Sequence, residues 1–182
     1  MVEGYVTLAR SQPMATAAVT VAAVGLATIA GFFFFQYVLG YPPCPLCLEQ
    51  RTPYYISVPL AAMILLGISV GSSRKVLMLA LLAIVVAMLW NAGLGVYHSG
   101  VEWRWWPGPQ DCSGPLNDFG AGGSLLKQLQ NIHIVRCDEA AWRFLGLSLA
   151  GYNVLVSLAL VAVAAWGALA AKPDQGSSSV SQ

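Results

Sequence analysis

Four uncharged apolar runs, at residues 14–35, 52–70, 76–97 and 144–169, constrain this chain more than any other feature. Its nine Lys and Arg and eight Asp and Glu all fall in the five segments between and around them. A helix that crosses a bilayer needs about 20 consecutive apolar residues, and each run meets or approaches that length. Charged residues make up 9% of the chain and hydrophobic residues 57%, whereas soluble domains carry roughly 25% charged residues. The runs therefore predict an all-α fold: a single membrane domain over residues 1–182, built as a four-transmembrane-helix bundle. The net charge of +1 argues against a nucleic-acid footprint, which needs a basic face.

The first run competes with a cleaved signal peptide. It exceeds the roughly 7–15 residues of such a segment, and only Arg10 precedes it, so a retained span is expected. Pro42, Pro43 and Pro45 prevent a continuous helix in the connection 36–51, because each lacks an N–H and restricts its predecessor. Pro53 suits the first turn of the second helix, and Pro59 is expected to kink it. The segment 71–75 is too short to recross a bilayer, so the helices it joins must be antiparallel. Asn91 and Asn153 lie inside runs and are expected to hydrogen-bond between helices, with a polar contact to a bound ring as the alternative. The tail 170–182 is rich in Gly and Ser and is expected to be disordered.

Four crossings place loops 36–51 and 98–143 on one face, and the termini with the 71–75 turn on the other. The raw count of cations does not favour the termini: Arg10, Arg74, Lys75 and Lys172 face Arg51, Arg104, Lys127, Arg136 and Arg143. Their density does, and short segments near helix ends weigh most, so the termini are expected to be cytoplasmic. All four cysteines, Cys44, Cys47, Cys112 and Cys137, then share the outer face, as an oxidising compartment would favour.

Residues 124–134 carry Leu125, Leu126, Leu129 and Ile132 at helical spacing, with Ser124 as a cap. They predict a short amphipathic helix in the second loop, lying at the lipid interface or packed on the loop itself. Phe32 to Phe35, Tyr37, Tyr41, Tyr54, Tyr55, Trp103, Trp105, Trp106 and Trp142 gather on the same side and read chiefly as an interfacial aromatic belt.

The chemistry centres on Cys44-Pro45-Leu46-Cys47, with Arg51 four residues on. A Cys-x-x-Cys pair serves zinc binding, haem attachment or redox exchange. Haem attachment needs a His after the second cysteine, where this chain has Leu48. Cys112 and Cys137 do not form a second close pair, so zinc-ribbon spacing is absent. Nothing in the spacing of His98 and His133 requires a metal, and no metal ligand is assigned. Redox exchange remains. Cys47, read as lying just before a helix whose free N–H groups favour a thiolate, is the sulfur best placed to carry charge. Arg51 either snorkels to the interface or stabilises an anion beside Cys47. Cys112 and Cys137 read either as a static loop disulfide or as an exchangeable pair on a Gly- and Pro-rich loop.

Taken together, the four runs, the CPLC pair with its Arg, and the pair Cys112 and Cys137 resemble the bacterial family of disulfide bond formation protein B. Tyr97-His98 and Phe144-Leu145-Gly146-Leu147 add to the resemblance, which extends from about residue 14 to 169. The resemblance implies a protein-disulfide:quinone oxidoreductase of the bacterial inner membrane, with its cysteines facing the periplasm. A reduced, thioredoxin-fold thiol oxidase (DsbA-like) would attack a Cys112–Cys137 disulfide at Cys112. Cys137 would then exchange with Cys44–Cys47 at Cys44, releasing Cys47 towards a ubiquinone or menaquinone. Cys44, Cys47, Cys112 and Cys137 would be catalytic, and Arg51, Cys47 and His98 would bind the quinone. Two other readings compete. A thiol reductase of the vitamin K epoxide reductase type ranks lower because its Cys-x-x-Cys usually follows a later helix. A structural or metal-binding membrane protein with static disulfides is the non-enzymatic reading.

Overall fold

The structure, a computed structural model, describes residues 12–109 and 136–171. The helix expected over 124–134, Cys112, His133 and the tail beyond residue 171 lie outside the described residues.

Helix α1, Pro13–Phe33, begins with its proline in the first turn and runs into a π-helical turn, Phe34–Val38. A short helix α2, Pro45–Glu49, and the longer α3, Thr52–Ser69, follow. Both open on a proline, which has no N–H to leave unsatisfied there. Helix α3 runs on through Pro59. Helix α4 spans Arg74–Glu102 and α5 spans Leu149–Ala170. Four segments, Pro13–Val38, Pro45–Ser69, Arg74–Glu102 and Leu149–Ala170, are long and apolar enough to cross a membrane.

The helices close a ring in which α1 packs on α3 and α5, and α4 packs on the same two. Its centre is filled by Val21, Tyr54, Ile64, Leu81, Ile84, Met88 and Leu160, each at most 2% exposed. Only 17–33% of the residues in the most apolar window of each segment are buried. Leu26, Leu66, Leu79, Val86 and Leu158 instead point outward. Helices apolar on both faces need a hydrocarbon solvent outside as well as a core inside. The chain is accordingly a multi-pass membrane protein built as a four-helix bundle.

Small residues set the helix spacing, as is usual where lipid supplies no hydrophobic drive between helices. A Cβ added at Gly95 would fall 2.7 Å from Val154 Cγ2, and one at Gly167 would meet the Ala17 Cβ and lie 3.3 Å from the Pro13 carbonyl. Gly93 has nothing within 4 Å. We therefore expect Gly167→Val to lower unfolding stability in detergent by about 1–3 kcal/mol through overpacking. Gly93→Ala is expected to be neutral or to stabilise by up to about 1 kcal/mol through helix propensity. Equal effects at the two sites would show that α1 and α5 do not touch as described.

Two element ends differ from the sequence expectation. The third run was expected to end at 97, but α4 continues to Glu102. His98 and Glu102, four residues apart, therefore share one face of a continuous helix. The fourth run was expected to begin at 144. Instead Arg143–Phe144 and Leu147–Ser148 pair as two short antiparallel strands, β1 and β2. Leu145 (φ 48°) and Gly146 (φ 81°) form their turn, the two-residue geometry with positive φ that matches strand twist. Ser148 then caps α5, its hydroxyl accepting from the Gly151 N–H at 3.2 Å. At the opposite end of the bundle, Arg74 donates to the Ala171 carbonyl at 2.6 Å, tying the turn before α4 to the end of α5.

Candidate redox site

The site forms where α2, the end of α1 and the last turns of α4 meet. Cys44 is the N-cap of α2, in extended conformation, and Pro45 starts the helix. The Cys47 N–H donates to Cys44 Sγ at 3.2 Å. This corrects the sequence reading, which put Cys47 just outside a helix that would stabilise it. Cys47 lies inside the first turn of α2, and its free N–H serves the sulfur of Cys44, because the proline sets the helix start one residue after Cys44.

The two sulfurs are 2.8 Å apart and carry free thiols, with the Cys44 S–H donating to Cys47 Sγ. That hydrogen bond, reinforced by burial, pushes the Cys44 thiol above its ordinary pKa. Within this pair Cys44 is the proton holder and Cys47 the acceptor sulfur. Cys44 is 3% exposed, whereas Cys47 is only partly buried. Cys44 packs with Leu46, Val101 and Cys137 in one buried cluster that Cys47 borders. Cys137 is 1% exposed and disulfide-bonded. The fold thus brings three of the four cysteines together, while Cys112 lies outside the described residues.

His98, on α4, faces Cys44, with Nε2 3.6 Å from Sγ. The same nitrogen is 3.8 Å from Glu102 Oε1. The ligand atoms of Cys44, Cys47 and His98 all lie within 4.8 Å of one another. On its other side the His98 ring meets Gln50, Nε2 to Nδ1 at 2.7 Å. Gln50 Oε1 accepts from Asn153 Nδ2 at 2.6 Å. Asn153 Oδ1 in turn accepts from the Tyr54 hydroxyl at 2.7 Å and from Asn91 Nδ2 at 3.3 Å, and Asn91 also donates to Ser157 Oγ at 2.9 Å. A buried polar chain therefore joins the cysteine pair to α3, α4 and α5. Asn91 and Asn153 make the interhelical bonds their positions suggested. Sequence reasoning missed Gln50, Ser157 and Glu102, and it read Tyr54 as part of the interfacial aromatic belt, whereas Tyr54 is 0% exposed in the bundle core. The signal for Gln50 and Glu102 was a polar or ionisable residue beside a membrane run, and for Ser157 a lone hydroxyl inside one, both of which many residues share.

Arg51 ends the connection between α2 and α3 and is 7% exposed. Its guanidinium donates to Gln36 Oε1 at 2.7 Å and lies over the Phe32 and Phe33 rings, 5.5 and 5.8 Å from their centroids. Its Nε has no hydrogen-bond partner among the described residues. A buried cationic donor left unpaired is costly, so this group is poised for an acceptor from outside the described residues. Arg51 borders an open cleft that is also lined by Cys44, Cys47, His98, Glu102, Phe35 and Asn153. A few polar groups converging in an apolar cleft are the usual form of a small-molecule site.

Aromatic residues surround this end. Trp142 packs edge-on against Phe35 at 5.3 Å and stacks on Phe144 at 5.7 Å. Trp106 stacks on Tyr97 and donates to its carbonyl at 2.9 Å. Trp103 and Trp105 stay exposed, as interfacial residues do.

The model of the family "Disulfide bond formation protein DsbB" matches residues 14–167. Among curated relatives, the disulfide bond formation protein B of Albidiferax ferrireducens is 33% identical over 153 residues, covering 76% of this chain and 83% of that protein. The protein of the same name from Psychrobacter sp. is 31% identical over 148 residues, covering 76% and 81%. An uncharacterised protein of Rickettsia prowazekii is 28% identical over 166 residues, covering 88% and 90%. No solved structure matches the chain. The family match spans all four helices and includes the Cys-x-x-Cys, so this chain belongs to the disulfide bond formation protein B family of membrane oxidoreductases.

Proposed function

We propose that this protein reoxidises a soluble periplasmic thiol oxidase of the thioredoxin fold and passes the electrons to a membrane quinone. The single observation that carries the acceptor half of this reading is the Nε of buried Arg51, without a partner among the described residues, in the cleft that also holds Cys47. Arg51, His98 and the Phe32 and Phe35 rings are the groups that would hold a planar ring with oxygens at its edge. When bound, a quinone supplies a sink for two electrons and two protons, becoming the quinol.

The chain's own residues do the rest. Oxidation joins Cys44 Sγ to Cys47 Sγ and releases two electrons and two protons. Cys44 holds one proton at the start, on the S–H that faces Cys47. The Gln50 contact fixes the His98 ring against Cys44, and the surrounding Leu46 and Val101 keep water from the buried sulfur. Cys137 lies in the same buried cluster as Cys44, which supports exchange at Cys44 with Cys47 as the leaving sulfur. In this reading Cys112 receives the soluble partner and pairs with Cys137. The cysteine end faces the periplasm and the termini face the cytoplasm.

The test is thiol titration of the full chain, reduced and purified in detergent, with and without a short-chain quinone. Addition of quinone should remove the Cys44 and Cys47 thiols and form a disulfide between them. A thiol count unchanged by quinone would overturn the reading. We expect Arg51→Leu to raise the quinone KM by roughly 10- to 100-fold, because a charge-assisted hydrogen bond is worth about 1.5–3 kcal/mol. An unchanged KM would show that Arg51 snorkels only.

A further inference from the structure

The sequence offered no reason to assign a metal ligand, yet the fold assembles a ligand set around the cysteine pair. We propose that the reduced site binds one thiophilic divalent cation of the zinc class through Cys44 Sγ, Cys47 Sγ and His98 Nε2. Their ligand atoms lie within 4.8 Å of one another, and Cys44 Sγ is 3.6 Å from His98 Nε2. Tetrahedral zinc with Zn–S of about 2.3 Å and Zn–N of about 2.0–2.1 Å places a sulfur and a nitrogen about 3.6 Å apart. The His98 ring thus already stands at ligand distance from Cys44. The same geometry needs sulfurs about 3.8 Å apart, against 2.8 Å between Cys44 and Cys47. Metal binding therefore requires the Cys47 side chain to turn about χ1 and open that gap.

The surroundings suit such a site. A metal-bound histidine donates its other ring N–H to an acceptor. Gln50 presents its Nε2 donor to His98 Nδ1 at 2.7 Å while its Oε1 accepts from Asn153, so zinc at Nε2 requires the Gln50 and Asn153 amides to turn over together and bring Gln50 Oε1 to the Nδ1–H. Leu46 and Val101 form an apolar shell around Cys44. The cleft leaves a path of entry and a fourth position for water. Glu102 has one carboxylate oxygen 3.8 Å from His98 Nε2 and the other without a partner among the described residues. It can accept from that water. Two thiolates and an imidazole select soft cations over magnesium or calcium.

Binding releases the thiol protons still present on Cys44 and Cys47 as the sulfurs become ligands, with no change in oxidation state. A Cys44–Cys47 disulfide offers no thiolate, so the site exists only in the reduced protein. The cation therefore caps the sulfurs from which electrons would leave. That consequence rests on the function proposed above, whereas the binding does not.

The experiment uses the full chain in detergent, reduced with a phosphine that is then removed without air. Zinc is titrated in competition with a chromophoric chelator, and cobalt is added separately as a spectroscopic probe. We expect one tight equivalent of zinc on the reduced protein and none on the disulfide form. Cobalt should give thiolate-to-metal charge-transfer absorption in the near ultraviolet. His98→Ala should weaken zinc by at least about 10- to 100-fold. Equal affinity of the oxidised protein, or of His98→Ala, would overturn the site. So would the absence of a thiolate band with cobalt on the unsubstituted chain, a readout that does not depend on any variant folding. Zinc binding with no quinone-driven loss of thiols would sink the proposed function and leave this site standing. The reverse pattern would do the opposite.

Discussion

Replacing Cys47 with Ser is expected to reduce quinone-driven thiol oxidation to the rate of a protein-free mixture, a fall of at least about a thousandfold, as when a covalent nucleophile is removed. Serine keeps the size and the hydrogen bond but cannot form a disulfide with Cys44. The geometry makes Cys47 the more telling of the pair. Both sulfurs line the cleft with Arg51, but Cys47 is the less buried and accepts the S–H of Cys44. The measurement is loss of free thiol after addition of a short-chain quinone to the reduced, detergent-purified variant. Circular dichroism would verify that the helices persist. Residual oxidation above a few per cent of the unsubstituted rate would mean that electrons leave from another sulfur.

The second large effect is expected far from the sulfurs. Asn153 accepts from Tyr54 and Asn91 and donates to Gln50, so it satisfies groups on α3, on α4 and on the residue that caps α2. Asn153→Ala strands those partners. Each buried group left unpaired costs about 1–3 kcal/mol, but interhelical hydrogen bonds within membranes average only about 0.6 kcal/mol because the unfolded chain finds other partners. Three bonds lost together bracket the loss at about 2–9 kcal/mol. The more peripheral Asn91→Ala should cost about half as much. Reversible unfolding in mixed micelles measures both. A loss below about 0.5 kcal/mol for Asn153→Ala would show that the chain of amides does not hold the bundle. Because Asn153 also anchors Gln50 and hence His98, its loss should raise the quinone KM as well.

Membrane architecture was legible because it depends on composition along a line. Runs such as 76–97 exclude charge, and that alone predicts a span whatever packs against it. The Cys-x-x-Cys with Arg51 was legible for a similar reason, since its chemistry sits within one short stretch. The hairpin at 143–148 was not. Phe144, Leu145 and Leu147 are as apolar as the helix that follows, and only the positive φ of Leu145 and Gly146 separates them from it. Nothing in the sequence marked out Gln50 between Glu49 and Arg51, yet it is 4% exposed and contacts the His98 ring.

What the chain settles by itself is which segments enter the bilayer and which residues bring sulfur and positive charge to its surface. Both follow from local transfer energies and local covalent spacing. What the tertiary structure decided is which groups meet. Cys44 reaches His98 across 54 positions, and Gln50 reaches Asn153 across 103. Such contacts are set by how four helices pack around small residues, a property of the whole ring that no single window of sequence contains.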